Sequence, residues 1–185
     1  MGQNFAIAIT GAETELGAAV ARHFENLGHE VILGIGSDLP LGYEKADILA
    51  CCHASQEQLD WLECTPQEWQ AMRQNNFDSM FACVQSYANA RVAVQAQGVA
   101  LLVTHDDSNS GASPDVLWSI TSWGVRGIVR NTAAAYARKG VRVNGVCTGA
   151  ADIDNSDVVT LMAFLAQNAH ITGQTIPVAR GYALL

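Results

Sequence analysis

The sequence predicts an α/β fold: a doubly wound parallel sheet with helices on both faces, in a three-layer α/β/α arrangement. Short apolar runs recur along the chain, as in Phe5–Ile9, Ala46–Cys52 and Val99–Val103. Longer stretches with apolar residues at helical spacing separate these runs, and a glycine turn follows the first of them. Strands that alternate with helices form parallel sheets, because each helix crosses over one face of the sheet.

The opening unit runs from Asn4 to Leu33 and is typical of a strand, a glycine turn, a helix and a second strand. Phe5–Ile9 is a near-continuous apolar run, as expected of a parallel strand covered on both faces. Apolar residues at helical spacing follow Leu16, and Gly28 stands where a left-handed residue would end the helix. Val31 begins the second strand.

The glycine turn has the pattern of a dinucleotide-binding turn with one substitution. Gly11 makes the tight turn, and Gly17 lets the helix pack closely on the strand. The middle position, where a glycine lets a pyrophosphate approach, holds Glu15, whose side chain fills that space and whose charge repels phosphate. Glu30 precedes the second strand and therefore lies at the wrong end to bind a ribose, whereas Asp38 lies past its tip and could reach one. A strand-to-helix turn without a ligand is the alternative.

Two long helices occupy the middle of the chain. Thr65 is the predicted N-cap of the first, with Glu68 as its capping-box partner, and this helix is predicted to reach Gln97. The second begins at Pro114 or Asp115 and reaches about Arg138. The remaining predicted elements are the strands Val141–Val146 and Thr175–Val178 and the helix Val158–Asn168.

Composition limits the possible partners and compartments. A formal charge of −8 and a pI of about 4.9 argue against nucleic acid or an anionic membrane as a partner. No apolar run is long enough to span a bilayer, and the first strand begins too early for a secretory signal. Five cysteines without paired metal-ligand spacing favour free thiols in a reducing cytoplasm. We expect one domain over residues 1–185.

Together the motifs are similar to those of the short-chain dehydrogenase/reductase family, and the resemblance covers Ile7 to Gly181. It rests on TGAETELG at Thr10, ADILACCHA at Ala46, EWQAMRQNNF at Glu68, GVALLVT at Gly98, GVRVNGVCTG at Gly140 and ITGQTIPVARG at Ile171. The resemblance implies a Rossmann-like fold that binds NAD(P) and oxidises an alcohol or reduces a carbonyl group.

The residues at the family's catalytic positions differ from the family pattern. The resemblance places His105 at the position of the catalytic serine, Trp118 at the tyrosine and Ser122 at the lysine, and retains only the asparagine, Asn76. An indole cannot exchange a proton near neutral pH, and a serine carries no charge that could lower the pKa of a neighbouring acid. These four positions are the candidate catalytic residues, and we expect them not to perform the family's reaction.

The resemblance also implies which positions would contact the cofactor. The family's Asn-Asn-Ala-Gly turn after its fourth strand is Cys51-Cys52-His53-Ala54 here. We expect no cofactor, with NAD(P) as the alternative that the resemblance leaves open. The implied positions are Gly11, Thr14, Glu15, Leu16, Gly17, Cys52, His53, Thr148 and Gly149.

Two deletions relative to the family also affect the predicted cofactor site. Where the family has a helix, its third strand and another helix, this chain has only Gly36 to Ala46, and AADIDNS follows Gly149 where the family has a substrate-covering lid. The sheet should therefore have about six strands in the family order 2-1-4-5-6-7. It should lack the strand that supplies adenine contacts.

A new active site is one interpretation of the substitutions. His53, His105 and Asn76 should lie at the carboxyl ends of neighbouring strands, where a histidine can act as an acid or base. Cys52 or Asp106 could join the two histidines to hold a metal. We favour the interpretation that these positions carry no chemistry and no metal, because the sequence specifies no set of nucleophile, base and orienting group. Trp118 would then fill the vacated pocket.

The two long helices, at about residues 66–97 and 115–138, are the other candidate for function. In the family such helices pair with those of a second copy, and this predicts a homodimer or homotetramer; a different protein partner also remains open. The alternative is that their small residues pack against the sheet. The small residues are Cys83, Ala90, Ala93, Gly124, Gly127, Ala134 and Ala135.

The sequence therefore predicts a truncated, catalytically degenerate member of the family that serves as a structural, regulatory or partner-binding subunit. One alternative is an NAD(P)-dependent oxidoreductase with a remodelled site. Others are an enzyme that uses His105 and His53 for a different reaction, or a non-enzymatic small-molecule binder.

Overall fold

The sheet is built from the strands β1 (Ala6–Thr10), β2 (Glu30–Leu33), β3 (Ile48–Cys51), β4 (Gly98–His105), β5 (Val141–Thr148) and β6 (Thr175–Val178). All neighbouring strands are parallel, and they lie in the order β2-β1-β3-β4-β5-β6. The structure, a computed structural model, describes residues 4–54, 59–105, 116–148 and 154–179. The predicted fold class and strand order are confirmed. Only a 3₁₀ turn, Tyr43–Lys45, lies between β2 and β3 where the resembled family has a further strand.

The α-helices that the described residues form on the sheet are α1 (Glu15–Asn26), α2 (Pro66–Arg73), α3 (Ser79–Ala93), α4 (Val116–Tyr136) and α5 (Asn155–Gln167). A π-helical turn, Gln74–Asp78, joins α2 to α3, and a 3₁₀ turn, Ala137–Lys139, follows α4. Among the described residues, no helix is both long and apolar enough to cross a membrane.

The core has one apolar cluster on each face of the sheet, because successive side chains of a strand point to opposite faces. Ile7 and Ile9 of β1 face α1 and α5, where they pack with Phe24. The intervening Ala8 faces α3 and α4 and lies in the cluster that contains Tyr87. Helices therefore cover both faces, as the continuous apolar strands predict.

Polar contacts attach α3 to the sheet beside β3. The Tyr87 hydroxyl donates a hydrogen bond of 2.7 Å to the backbone carbonyl of Asp47, and the buried Arg91 guanidinium pairs with the Asp47 carboxylate at 3.2 Å. Burial raises the pKa of Tyr87, so the phenol stays protonated and remains a donor.

The predicted helix ends agree with the structure in several places. The Thr65 hydroxyl accepts from the Glu68 amide while the Glu68 carboxylate accepts from the Thr65 amide, which is the predicted capping box. Gly28 after α1 and Gly140 after the turn that follows α4 both have φ of +82°, which suits glycine.

Other boundaries require correction. The helix predicted over residues 66–97 is interrupted by the π-helical turn and ends at Ala93. His105 is the last residue of β4, whereas the strand was predicted to end at Val103. The last helix begins at Asn155 because Asp154 is its N-cap, three residues before the predicted start at Val158. The predicted start at Pro114 or Asp115 lies outside the described residues.

Candidate functional site

The glycine turn between β1 and α1 depends on two close backbone approaches. Gly11 has φ of +68°, and a Cβ atom there would lie 2.6 Å from the Cα of His53. A Cβ atom on Gly17 would lie 2.0 Å from the carbonyl oxygen of Gly11. Both positions require glycine because of contacts within the protein, whether or not a ligand binds.

The turn uses many of its polar groups internally. Thr14 is the N-cap of α1: its hydroxyl accepts from the Gly17 amide at 2.9 Å and donates to the Gly11 carbonyl at 2.8 Å. The Gly11 amide donates to the Gly36 carbonyl, and the Ala12 amide donates to the Gly34 carbonyl. These amides are therefore already hydrogen-bonded, which reduces what the turn can offer to a phosphate.

Two carboxylates lie at the same turn. Glu15 is exposed and is the first residue of α1, followed by the half-buried Leu16. Glu13 is also exposed, and its carboxylate accepts from the Gly36 amide at 2.9 Å, which places it beside the tip of β2. An acidic side chain in the first turn stabilises a helix by interacting with its dipole, which is the role a bound phosphate would otherwise have. The residues present do not fit a dinucleotide pyrophosphate.

His53 lies at the carboxyl end of β3, and both of its ring nitrogens form hydrogen bonds to side chains. Thr10 Oγ1 lies 2.6 Å from Nδ1, and Ser79 Oγ lies 2.9 Å from Nε2. Because the Ser79 hydroxyl donates its proton to the Asn75 carbonyl at 2.7 Å, it accepts from Nε2–H. Nδ1 therefore accepts from Thr10. This chain of hydrogen bonds connects the end of β1 to the π-helical turn.

The environment of His53 keeps its ring neutral. Its side chain is 8% exposed, and burial lowers its pKa to about 4, an effect that the charge of Glu13 partly opposes. With both nitrogens engaged, His53 has no free lone pair for the acid or base role considered from the sequence. Its hydrogen bonds link Thr10, at the end of β1, to Ser79, at the start of α3.

The π-helical turn is a feature that the sequence did not reveal. It contains Asn76, which is 5% exposed, and also Asn75, whose carbonyl accepts from Ser79. π-Helical turns occur often at functional sites because they change the direction of a side chain within a helix. Asn76, the retained position, therefore lies at a specialised point of the backbone.

His105 and Trp118 form a stacked pair. Their ring centroids are 4.0 Å apart and their planes differ by 15°. Thr148 Oγ1 lies 3.1 Å from His105 Nδ1 and donates to the Thr104 carbonyl, so it accepts from Nδ1–H. Burial lowers the pKa of His105 to about 4, while a hydrogen bond to the Thr148 backbone opposes this shift. The ring is neutral at physiological pH, and no described residue bonds to its Nε2.

The remaining predicted positions are mostly buried. Trp118 is 8% exposed and Ser122, one turn later on α4, is 4% exposed, so neither presents a large surface. Cys52 is 4% exposed, and burial raises its pKa to about 12, so the thiol stays protonated. Thr148 contacts His105, whereas Gly149 lies outside the described residues.

A metal site receives no support from the part of the chain that the structure describes. No group of three His, Cys, Asp or Glu side chains there is placed to hold an ion. Asp106, which the sequence suggested as a ligand, lies outside the described residues. The five cysteines are free thiols.

Comparison with known families identifies the chain. The family model described as "Enoyl-(Acyl carrier protein) reductase" matches residues 37–156, more than half of the sequence. The chain belongs to the short-chain dehydrogenase/reductase family. The rat protein "Dehydrogenase/reductase SDR family member 6" from Rattus norvegicus is 24% identical over 91 residues, which are 49% of this chain and 37% of the rat protein. The matched region therefore spans about a third of that relative.

Solved structures of short-chain dehydrogenases have the same fold. A short-chain dehydrogenase from Leptospira borgpetersenii with bound NAD+ superposes with a TM-score of 0.85 at 16% identity, covering 98% of this chain and 93% of the other. A protein from Agrobacterium tumefaciens with bound NADP superposes with a TM-score of 0.87 at 19% identity, covering 100% and 98% of the two chains. At these identities the likeness concerns the fold alone.

Proposed function

We propose that this short-chain dehydrogenase/reductase does not catalyse the family's carbonyl or alcohol reaction and serves as a structural, regulatory or partner-binding subunit. One observation carries the proposal: His105 and Trp118, which the sequence resemblance aligns with the family's serine and tyrosine, stack against each other. A stacked neutral imidazole and an indole provide no group that can pass a proton to a carbonyl oxygen near pH 7.

The position of the family's lysine supports the same conclusion. Ser122 is one helical turn from Trp118 and is buried, so no cation lies there to hold a ribose or to lower the pKa of a neighbouring acid. Restoring the family's chemistry would therefore require changes at both positions, because each residue acts only with the other.

The charge at the glycine turn argues against tight NAD(P) binding. Relatives with bound NAD+ and NADP share the fold, but a pyrophosphate at this turn would approach the carboxylates of Glu13 and Glu15. Like charges about 4 Å apart repel by ~1 kcal/mol in bulk water and by ~4 kcal/mol near a protein surface. We infer that any residual affinity for the dinucleotide is weak and rises with salt.

The outer surface of α3 and α4 has the features of an interface with another chain. Their surface exposes Phe81 (48%), Ile120 (52%) and Trp123 (55%), and a Cβ atom on Gly127 would contact nothing within 4 Å. Large apolar side chains grouped on a surface are typical of interfaces. We propose that a second copy covers this face.

Two of the small residues predicted for that face do not lie on it. Cys83 is 3% exposed, belongs to the core and donates to the Ser37 carbonyl. Gly124 makes room for the ring of Phe77 in the same chain, since a Cβ atom there would lie 2.7 Å from that ring. The exposed members of the predicted set are Ala93, Ala134 and Ala135.

An enzyme with a remodelled site is the second candidate function, and His105 is the observation that favours it. Thr148 fixes Nδ1–H, and no described residue bonds to Nε2, as in a general base held by an orienting partner. The low pKa of about 4 would make it a weak base, although one that is deprotonated at neutral pH.

NAD(P)H titration with a carbonyl-reduction assay tests the proposal. We expect no saturable change in nicotinamide fluorescence at micromolar protein and no NAD(P)H oxidation with a panel of aldehydes and ketones. Tight binding together with turnover that His105→Gln abolishes would refute the non-catalytic proposal and establish the second candidate. His170→Gln, the same change at an exposed position, is the control.

A further inference from the structure

β2 forms one edge of the sheet, and no described strand pairs with its outer side. In the part of the chain that the structure describes, the one strand beside it is β1, since the sheet order begins with β2. The segment between β2 and β3 contains a 3₁₀ turn and no further strand. A strand edge with unpaired backbone groups is a template for another strand.

The hydrogen bonds to β1 determine which backbone groups point outward. The Glu30 amide donates to the Phe5 carbonyl at 3.0 Å, and the Gly34 amide donates to the Ile9 carbonyl at 2.7 Å. Alternate residues of a strand face the same neighbour, so Val31 and Leu33 direct their amide and carbonyl groups away from β1. No described residue bonds to those outward groups.

Exposed apolar side chains lie on β2 and close to it in sequence. Leu33 is 52% exposed, and beyond the ends of the strand Leu27 and Ile35 are 53% and 69% exposed. Natural proteins guard open edges with lysine, proline or a bulge, yet the only charged residue of β2 is Glu30 at its start.

We propose that two copies of the chain pair through this edge, with their β2 strands antiparallel about a two-fold axis at Ile32. In this register Val31 of each copy lies opposite the partner's Leu33. The outward amides and carbonyls of these two residues then form four hydrogen bonds, two at each hydrogen-bonded pair. The two sheets become one continuous sheet of twelve strands.

The sequence of β2 is complementary to itself in this register. Glu30 falls opposite the partner's Gly34, so no charges oppose one another and no side chain crowds the carboxylate. A Cβ atom on Gly34 would lie 2.7 Å from the Asp38 carbonyl oxygen, so that position is held as glycine by its own chain. Parallel pairing would bring the two Glu30 side chains together, which favours the antiparallel arrangement.

The assembly state of purified full-length chain tests this proposal. Val31→Pro removes one outward amide and leaves the bonds to β1 intact, and Leu33→Lys adds a charge at the edge. Leu62→Lys is the matched control, because Leu62 is 73% exposed and lies on a different segment. Trp123→Lys tests the α3 and α4 face separately. Light scattering at micromolar to 100 µM protein gives the mass, and circular dichroism confirms folding.

We expect Leu33→Lys and Val31→Pro each to halve the wild-type mass, while Leu62→Lys leaves it unchanged. The amides of Val31 and Leu33 should be protected from hydrogen exchange in the wild type and lose that protection in Leu33→Lys. If both edge variants keep the wild-type mass, or the wild type is monomeric, edge pairing is refuted. If Trp123→Lys keeps the wild-type mass while both edge variants lower it, the proposed assembly through α3 and α4 is refuted and edge pairing stands.

Discussion

Acid should destabilise this protein because it holds two histidines neutral, the buried His53 and the half-buried His105. His53 and His105 each have a pKa of about 4 in the folded chain against an ordinary value of 6.5, mainly because burial disfavours the charged ring. Above pH 6.5 the rings are neutral in both the folded and unfolded states. Between pH 6.5 and 4 only the unfolded state binds the protons, so stability falls as pH falls. Below pH 4 the folded state also binds these protons, so the loss of stability does not grow further.

The size of the effect follows from the difference in pKa. A pKa difference of about 2.5, at ~1.4 kcal/mol for each pKa unit, costs ~3.5 kcal/mol per histidine. Near pH 5 the unfolded state binds about 0.9 more proton at each site, which gives a slope of ~1.2 kcal/mol per pH unit for each ring. Together the two rings remove ~7 kcal/mol, a large part of the 5–15 kcal/mol typical of a domain.

Urea unfolding followed by circular dichroism from pH 7.5 to 4.5 measures this dependence. His53→Gln and His105→Gln should each remove about half of the histidine contribution to the slope, because glutamine binds no proton. His170→Gln, the same substitution at an exposed position, is the control. The free energy of unfolding is plotted against pH for each protein. If the plots for both His53→Gln and His105→Gln run parallel to the wild-type plot, the fold does not hold these two histidines neutral.

Three further predictions concern single contacts. Gly17→Ala should destabilise the fold by more than ~3 kcal/mol, because the new Cβ atom would lie 2.0 Å from the Gly11 carbonyl oxygen. Gly127→Ala lies on the proposed α3 and α4 face, but its new Cβ atom would meet nothing within 4 Å in its own chain, so it should lower the thermal unfolding midpoint much less; equal midpoints would contradict this. Glu15→Gln should strengthen NADPH binding in fluorescence titrations several-fold at low salt and less at high salt, and an unchanged affinity would argue against charge repulsion at the turn. Tyr87→Phe should lower the free energy of unfolding by ~1–2 kcal/mol, since it removes a hydrogen bond of 2.7 Å to a backbone carbonyl, and an unaltered urea midpoint would refute that role.

The parts of the fold that local chemistry determines were predictable from the sequence. The capping box at Thr65 and the left-handed residues Gly28 and Gly140 follow from short motifs, and the structure has them. The π-helical turn was missed because a shift from i→i+4 to i→i+5 hydrogen bonds leaves no distinct residue pattern. Thr10 and His53 are 43 residues apart, so their hydrogen bond depends on the pairing of β1 with β3.

Which face of a helix is buried also depends on distant parts of the chain. Cys83 has the size expected of an interface residue, but α3 rotates it into the core, where its thiol forms a hydrogen bond to Ser37. Gly124 likewise meets Phe77, which the π-helical turn places beside α4. A small residue indicates close packing, and only the tertiary structure specifies which surface it contacts.

The glycine turn shows why a motif of this kind identifies ancestry better than activity. A Cβ atom on Gly17 would collide with the Gly11 carbonyl, and one on Gly11 would collide with the backbone at His53. Both glycines are therefore required by the packing of β1, α1 and the end of β3, and selection for folding alone would retain them. The residue at the middle position, Glu15, is exposed, so the packing of the turn does not require glycine there. Glu15 is exposed and benefits from the dipole of α1, which explains how a residue that repels phosphate can persist in an intact turn.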